Sequence, residues 1–157
     1  MFERRHLSSL ERTLDDDELS LLSPYFQSPT LNAARIIEES VPSWLRKNMC
    51  AVVLKHRVYL RTKFDKPSIY SVSFATNIEL LAHELTHVEQ YLSGMTIFKY
   101  LLASHHRYWK NPYEVEAYTK AAFVRAQILS KFHFSTFQII HLATNDVIAT
   151  YVMTSTT

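Results

Sequence analysis

The sequence predicts a mostly helical α+β domain in which a small sheet of about three strands precedes a helix that carries the motif H-E-x-x-H. The chain of 157 residues contains a single glycine. A β-sandwich or barrel needs many tight turns, for which glycine is a usual residue, so its scarcity favours helices. Strand-like patterns occur between residues 50 and 74, whereas apolar residues recur at three- or four-residue spacing on either side. The length suits one domain, 1–157, with a core at about 30–131.

The first 29 residues are predicted to form a helical extension of this core. Leucines recur at helical spacing over 1–14. We interpret the acidic run 15–18 as the capped, charged N-terminus of a second helix, because a calcium-binding loop would need alternating ligands and a central glycine. Ser28-Pro29 is typical of the start of a further helix. The buried stripe of that helix is expected to comprise Ala33, Ile36, Ile37 and Val41.

Three strands are predicted between this helix and the H-E-x-x-H motif. Segments 51–54 and 58–61 are apolar runs on either side of a Lys-His-Arg turn, which is the pattern of a hairpin. Segment 69–74 alternates apolar or aromatic residues with serines, as a half-buried strand does. An extended peptide could add to an exposed edge of such a sheet, and segments 58–62 and 69–74 are the candidates for that edge.

Both ends of the motif-bearing helix are indicated by the sequence. Thr76 followed by Glu79 matches a capping box, in which the two residues satisfy each other's backbone N–H groups. Gly94 stands where a left-handed residue is expected after a helix C-terminus. The helix is therefore predicted to run from 76 to about 92, with the motif in its middle.

The motif brings three functional groups together on that helix. His83 and His87 are one turn apart, so their imidazoles leave the same face and can share one Zn²⁺ ion. Glu84 projects about 100° further round the helix, where it can reach a water held on the metal. Zinc lowers the pKa of that water toward ~7, and a carboxylate can then take its proton as nucleophilic attack begins. The two histidines are thus candidate zinc ligands and Glu84 is the candidate general base.

A catalytic zinc site needs a third protein ligand and one open position. The pattern H-E-x-x-H-x-x-G-x-x-H does not supply that ligand here, because Gln90 and Ser93 stand in place of its glycine and its third histidine. His105 or His106 could serve, although no spacing rule supports either. The remaining route is a glutamate from a following helix.

A glutamate is available in the first turn of the next long helix. Asn111-Pro112 is typical of a helix start, and the helix is predicted to end near Lys131. Glu114 lies in the first turn, and Ala117 on the same face is small enough to allow close packing against the motif-bearing helix. Glu116 points elsewhere and is the second choice. Stabilisation of the helix dipole is the alternative role for Glu114.

The remaining segments and the composition exclude some classes of function. A helical stretch is predicted over 95–106, and a helical, charge-poor tail over 132–157, which favours self-association or partner binding. The net charge is +2 and the basic residues are scattered, so nucleic-acid binding has no electrostatic support. Cys50 is the sole cysteine, which excludes an internal disulfide and a cysteine-based zinc site.

Neither a signal peptide nor a transmembrane span is expected. The N-terminus is not followed by an apolar run, and no window approaches ~18 uncharged apolar residues. Residence in the cytoplasm is the default expectation. A dedicated secretion or injection machine could export the chain without leaving such a trace.

The order of small sheet, H-E-x-x-H helix and downstream glutamate resembles the gluzincin zinc metallopeptidases. More closely, L-A-H-E-L-T-H-V-x-Q at 81–90 resembles the metallopeptidase domain found in proteins of extracellular contractile injection systems and in bacterial toxins. The resemblance covers roughly 30–120 and is strongest in this ten-residue core. It implies a minimal zincin fold in which zinc is bound by His83, His87 and Glu114, with Glu84 as general base. Many gluzincins have Asp four residues after the third ligand, where it orients a ligating histidine, and this chain has Tyr118 there.

The expected function is hydrolysis of peptide bonds in a peptide or protein substrate. A peptidase also needs a donor for the oxyanion of the tetrahedral intermediate, and the candidates are Tyr108, Tyr113, Tyr118, His105 and His106. One alternative is a non-catalytic zincin-like binding or assembly module with structural zinc or none. The other is an ordinary helical protein with two surface histidines.

Overall fold

The computed structural model describes residues 11–64, 72–104, 110–131, 136–141 and 146–152. In chain order the elements within these residues are β1 (Glu11–Arg12), α1 (Asp16–Leu22), α2 (Ser28–Ala33), β2 (Arg35–Ile37), β3 (Ala51–Leu54), β4 (Arg57–Leu60), α3 (Val72–Leu92), α4 (Ile97–Ala103), α5 (Pro112–Lys131), β5 (Thr136–His141) and β6 (Asp146–Val152). The architecture is α+β and mostly helical, and a small sheet precedes the long helices, which confirms the predicted fold class.

The sheet before α3 has four strands, in the order β1-β2-β4-β3. β2 pairs with β4 in parallel, and the other neighbours are antiparallel. β3 and β4 form the predicted hairpin, and Lys55 in its turn has φ 62°, the left-handed conformation that a two-residue hairpin turn needs. Because β4 is paired on both sides, the prediction that 58–62 offers a free edge to a peptide is wrong. Within the described residues the outer strand on that side is β3.

β1 and β2 lie where the sequence predicts helix. β1 pairs with β2, so the predicted helix over 1–14 is wrong where β1 stands, and 1–10 lie outside the described residues. The predicted helical stripe over 33–41 is also wrong, because Ile36 and Ile37 belong to β2. Both isoleucines are 0% exposed. Two consecutive β-branched residues that are both buried need cover on two opposite faces, which a strand within a sheet supplies and one face of a helix does not.

The acidic run caps α1, as predicted. The side chain of Asp15 accepts a hydrogen bond from the backbone N–H of Glu18, and the Glu18 carboxylate accepts one from the backbone N–H of Asp15, both at 2.9 Å. Glu18 also accepts a hydrogen bond of 2.7 Å from Arg12 in β1. The buried carboxylate of Glu18 is therefore occupied by these hydrogen bonds and is not available to a metal cation.

The motif-bearing helix α3 begins earlier than predicted. It already includes 72–74, where the sequence predicts a third strand, while 69–71 lie outside the described residues. Thr76 is therefore inside the helix, and Glu79 forms an ion pair with Arg125 at 3.3 Å instead of a capping box. Apolar residues at helical spacing are buried through this first part of the helix: Phe74, Ala75 and Ile78. Their burial outweighs the local capping preference of a single residue.

α3 lies at the centre of the described structure, with the sheet against one side and α5 against another. Its core-facing residues Leu81, Leu85 and Val88 are 0% exposed. The helix ends at Leu92, and Gly94 follows with φ +96°, which confirms the predicted C-terminus. The ten-residue motif is thus held within the most buried helix of the described chain.

α5 packs antiparallel against α3. It starts at Pro112 and ends at Lys131, as predicted. Two ion pairs join the helices in opposite order along their lengths: Glu79 with Arg125, and Glu89 with Lys120. Small residues on the packed face of α5 are buried, namely Ala117 and Ala121. This close packing brings the first turn of α5 to the middle of α3.

The C-terminal segment differs from the prediction. The predicted helix over 95–106 is present as α4, while 105–109 lie outside the described residues. In contrast, the predicted helical tail over 132–157 is wrong, because β5 and β6 form an antiparallel pair there. Both strands are rich in β-branched residues, which favour extended structure once a partner strand is available. No helix within the described ranges is long and apolar enough to cross a membrane.

Candidate metal centre

Two histidines of α3 and one glutamate of α5 meet at the interface between these helices. The Nε2 atoms of His83 and His87 are 3.2 Å apart. Glu114 places Oε2 at 3.5 Å from the Nε2 atom of His83 and Oε1 at 3.3 Å from that of His87. Among the described residues these three form a group whose ligand atoms all lie within 4.8 Å of one another, and all three side chains are buried.

The separations match those of a tetrahedral zinc site. Ligand atoms at about 2.0–2.1 Å from zinc, arranged tetrahedrally, are roughly 3.3–3.4 Å apart. The two nitrogens are 3.2 Å apart, and they lie 3.5 and 3.3 Å from one carboxylate oxygen each. Two imidazole nitrogens and a carboxylate oxygen are also a donor set that zinc takes. In addition, Glu114 Oε2 is buried without a hydrogen-bond partner in the part of the chain that the structure describes. The residues present therefore fit a zinc ion.

The first turn of α5 is fixed by Asn111, which is fully buried. Its Oδ1 accepts a hydrogen bond of 3.0 Å from the backbone N–H of Tyr113, as a helix cap does. Its Nδ2 donates to Ser104 Oγ at 2.7 Å, directly after α4. One side chain thus joins the end of α4 to the start of α5, and it holds Glu114 three residues further along.

α4 also contacts the third candidate ligand. The hydroxyl of Tyr100 donates a short hydrogen bond to Glu114 Oε1. Burial by itself raises the pKa of Glu114. The contacts of its carboxylate with His83 and His87, and then the Tyr100 hydroxyl, outweigh burial and hold that pKa well below its usual range. Glu114 is therefore an anion that faces two imidazoles.

The environment of His87 favours a positive charge at the same place. Burial lowers the pKa of His87, but the hydrogen bond with Glu114 and the charge of Glu84 outweigh burial, so the pKa lies above its ordinary value. The raised pKa of His87 favours a proton on this imidazole beside the carboxylates. A metal cation can replace that proton, since zinc binds the neutral imidazole.

The two histidines differ at Nδ1, the ring nitrogen that faces away from Glu114. The Nδ1 atom of His87 lies 2.8 Å from Gln90 Oε1. The Nδ1 atom of His83 is buried and has no hydrogen-bond partner among the described residues. Tyr118, at the position where gluzincins carry Asp, contacts His83 through its ring, with centroids 4.4 Å apart and planes at 58°. Tyr118 therefore packs against this imidazole and does not accept a hydrogen bond from it.

Glu84, the candidate general base, is 5% exposed and makes no hydrogen bond within the described part of the chain. Burial raises its pKa, and electrostatic interactions with the two imidazoles offset part of this effect. The carboxylate is next to the first ligand in sequence and interacts with the charges of the cluster. A carboxylate with a raised pKa is a stronger base than one in water.

The other candidates named from the sequence are placed as follows. Tyr113 stacks on Tyr100, with ring centroids 6.3 Å apart, and Glu116 contacts Gln90 at 2.8 Å and not the histidines. The structure leaves His105, His106 and Tyr108 outside the described residues.

Two residues of the site escape sequence reasoning. Tyr100 contacts Glu114 from α4, and no local sequence pattern predicts this contact between helices. Gln90 carries a local signal that could have identified it, because it lies three residues after His87 on the same helical face.

Comparison with protein-family models, with curated proteins and with solved structures gives no match for this chain. The function therefore has to be inferred from the chemistry of the site.

Proposed function

We propose that this chain is a zinc-dependent metallopeptidase of the gluzincin type. The observation that carries the proposal is the triangle of His83 Nε2, His87 Nε2 and the Glu114 carboxylate. The two nitrogens are 3.2 Å apart, and the carboxylate has Oε2 at 3.5 Å from His83 and Oε1 at 3.3 Å from His87. Glu84 stands beside this triangle as a buried carboxylate that no hydrogen bond engages within the described part of the chain. Three ligands together with an adjacent base are the minimum that metal-assisted hydrolysis needs.

Each residue has a distinct role in the proposed reaction. His83, His87 and Glu114 hold the metal. A zinc ion bound there supplies Lewis-acid polarisation of the scissile carbonyl and lowers the pKa of water toward ~7. Glu84 accepts the proton of the attacking water on its carboxylate and then delivers it to the nitrogen of the leaving amine. Burial of Glu84 favours this cycle because it raises the pKa of the carboxyl group.

Tyr118 is the best placed of the described candidates for the oxyanion donor. Tyr118 is 43% exposed and its ring contacts His83, so this side chain borders the cluster and also reaches solvent. Burial of part of the side chain raises its pKa, and the nearby charges of Glu114 and Glu84 raise it further. The phenol therefore keeps its proton at neutral pH and can donate it in a hydrogen bond to a developing oxyanion.

The proposed substrate is a peptide bound in an extended conformation. β3 packs against α3 and is the outer strand of its sheet within the described residues. An outer strand presents backbone N–H and C=O groups to which a peptide can add as a further strand. β3 replaces the two segments predicted for this role. Segment 58–62 is excluded because β4 is paired on both sides, and segment 69–74 because 72–74 belong to α3.

A non-catalytic binding or assembly module is the second candidate, and a surface favours it. α4 has no buried residue, and four of its large apolar side chains are exposed: Ile97, Phe98, Leu101 and Leu102. Exposed apolar patches often mark sites of protein association. However, a purely structural zinc site is closed by four protein ligands, and the group in the described residues offers three.

The variant Glu84→Gln separates the two candidates. We expect it to keep stoichiometric zinc while peptide cleavage falls by about 10²–10⁴-fold, the usual contribution of a general base. The matched control is Glu89→Gln, which removes a neighbouring carboxylate that pairs with Lys120 and does not touch the cluster. Elemental analysis of protein without a histidine tag gives the zinc content. Zinc-loaded wild type that cleaves no peptide in a diverse library supports the assembly module. If the protein contains no zinc, both the peptidase and a module with structural zinc are excluded.

A further inference from the structure

We infer that Gln90 is a positioning residue that fixes the tautomer and orientation of His87 and couples this ligand to the first turn of α5. Gln90 is 7% exposed and lies one turn beyond His87 on α3. Its Oε1 atom is 2.8 Å from His87 Nδ1. The effect of Gln90 on zinc affinity rests on the proposed function of the site. The effect of Gln90 on the tautomer of His87 does not.

The orientation of the Gln90 amide is decided by two partners that can only accept hydrogen bonds. The Nε2 atom donates to the backbone carbonyl of Tyr113 at 3.0 Å and to Oε2 of Glu116 at 2.8 Å. A carbonyl and a carboxylate have no proton to offer. The amide nitrogen must therefore face these two groups, and the amide oxygen must face His87.

The orientation of the amide in turn decides the state of the imidazole. An amide oxygen accepts hydrogen bonds and cannot donate them, so His87 Nδ1 must carry a proton to make this contact. In the metal-free cluster Nε2 also faces an acceptor, the Glu114 carboxylate at 3.3 Å. Because Nδ1 keeps its proton, the proton on Nε2 is the one that a metal replaces, and the Nε2 lone pair then becomes available to it. Gln90 thus selects the tautomer in which His87 Nε2 can ligate.

The same amide links the two helices of the site. Tyr113 and Glu116 flank Glu114 in the first turns of α5, so Gln90 holds this turn against α3 on one side of the third ligand. His83 provides an internal comparison, because its Nδ1 atom has no hydrogen-bond partner within the described ranges and its ring packs against Tyr118. Among the described residues, His87 is therefore the imidazole of the pair whose Nδ1 atom is held by a hydrogen bond.

Nitrogen-15 NMR of the imidazoles tests the tautomer directly in metal-free protein at a pH where His87 is neutral. Wild type is expected to show His87 protonated at Nδ1. Gln90→Leu removes the acceptor without much change in volume, so His87 is expected to shift toward the tautomer protonated at Nε2. A role of Gln90 in packing alone would lower the free energy of unfolding of Gln90→Leu and leave the tautomer unchanged. Wild-type His87 protonated at Nε2 overturns the inference whatever the variants do.

Zinc affinity, measured by competition with a chromogenic chelator, tests the consequence. Gln90→Leu is expected to bind zinc about 10- to 100-fold more weakly, the usual effect of losing a hydrogen-bond partner of a metal ligand. Glu89→Gln, one residue away and at a carboxylate that pairs with Lys120, is expected to bind zinc as wild type does. Equal affinity in wild type and Gln90→Leu overturns the positioning role.

A charge-compensated pair of variants separates the two contacts of Gln90. Gln90→Glu keeps an acceptor for His87 but cannot donate to Tyr113 and repels Glu116. We expect it to retain the Nδ1-protonated tautomer with reduced zinc affinity, and adding Glu116→Gln should recover most of that affinity. Loss of the tautomer in Gln90→Glu contradicts the inference. If wild type binds no zinc, the proposed metallopeptidase fails, and the NMR measurement alone decides the role of Gln90.

Discussion

Ala117→Leu tests whether close packing of α5 on α3 is what assembles the site. Ala117 is 0% exposed and lies three residues after Glu114, on the same face of α5. The packed interface has no room for the isobutyl group of leucine in place of the methyl group of alanine. The two helices must separate locally, and Glu114 must move away from the histidines of α3.

The size of the effect follows from the geometry. Extra volume in a well-packed core costs about 1–3 kcal/mol of unfolding free energy. A zinc site tolerates deviations of only about 0.2 Å in its bond lengths, while the carboxylate of Glu114 is now 3.3–3.5 Å from the two imidazole nitrogens. A displacement of about 1 Å therefore removes this ligand. Zinc binding should weaken sharply, and cleavage should fall by roughly 10²-fold, the usual result of such a misplacement.

Chemical denaturation and chelator competition measure the two effects, and the same helix supplies a control. Ala122 and Ala126 are exposed residues of α5. Ala122→Leu should change the free energy of unfolding by less than about 0.5 kcal/mol, as surface substitutions usually do, and leave zinc binding intact. If Ala117→Leu also keeps both the stability and the zinc affinity of wild type, close helix packing does not assemble the site.

Three further substitutions probe the surroundings of the cluster. Tyr118→Phe keeps the ring against His83 and removes the hydroxyl, so kcat should fall about 10²–10³-fold with zinc content unchanged if the phenol stabilises the oxyanion; an unchanged kcat excludes that role. Tyr100→Phe removes the hydrogen bond to Glu114, and zinc affinity should drop about ten-fold or more in chelator competition, whereas wild-type affinity would show that this bond does not support the ligand. Burial raises the pKa of Glu79, and the charge of Arg125 offsets part of this rise. Since the folded pKa lies above the ordinary value of 4.5, wild type should lose unfolding free energy relative to Glu79→Gln as pH rises above about 4.5; a wild type that gains unfolding free energy relative to the variant over this rise in pH would contradict the sign.

Local signals were sufficient for several elements. The hairpin of β3 and β4, the stop of α3 at Gly94 and the start of α5 at Pro112 are all confirmed. In each case the information lies within a few residues of the boundary, because turns and helix ends are formed by neighbouring backbone groups. The same holds for the acidic run that caps α1 at Asp15.

Local signals misled where a distant partner decides the conformation. The isoleucines at 36 and 37 can follow a helical pattern, yet they pair with β1 and β4, and β5 pairs with β6 where a helical tail is expected. The capping box expected at Thr76 is displaced by burial of the residues before it. Strand pairing and burial depend on chain segments far away in sequence, and periodicity does not record them.

For the candidate site, the sequence by itself determined the one-turn spacing of His83 and His87, the adjacent Glu84, and a glutamate at the start of a later helix. These features follow from helix geometry alone. The tertiary structure decided that Glu114 lies 3.3–3.5 Å from both imidazoles, and that His87 has Gln90 behind it while His83 packs against Tyr118. Contacts between helices depend on how side chains interlock at the packed interface, and that arrangement exists only once α3 and α5 have come together.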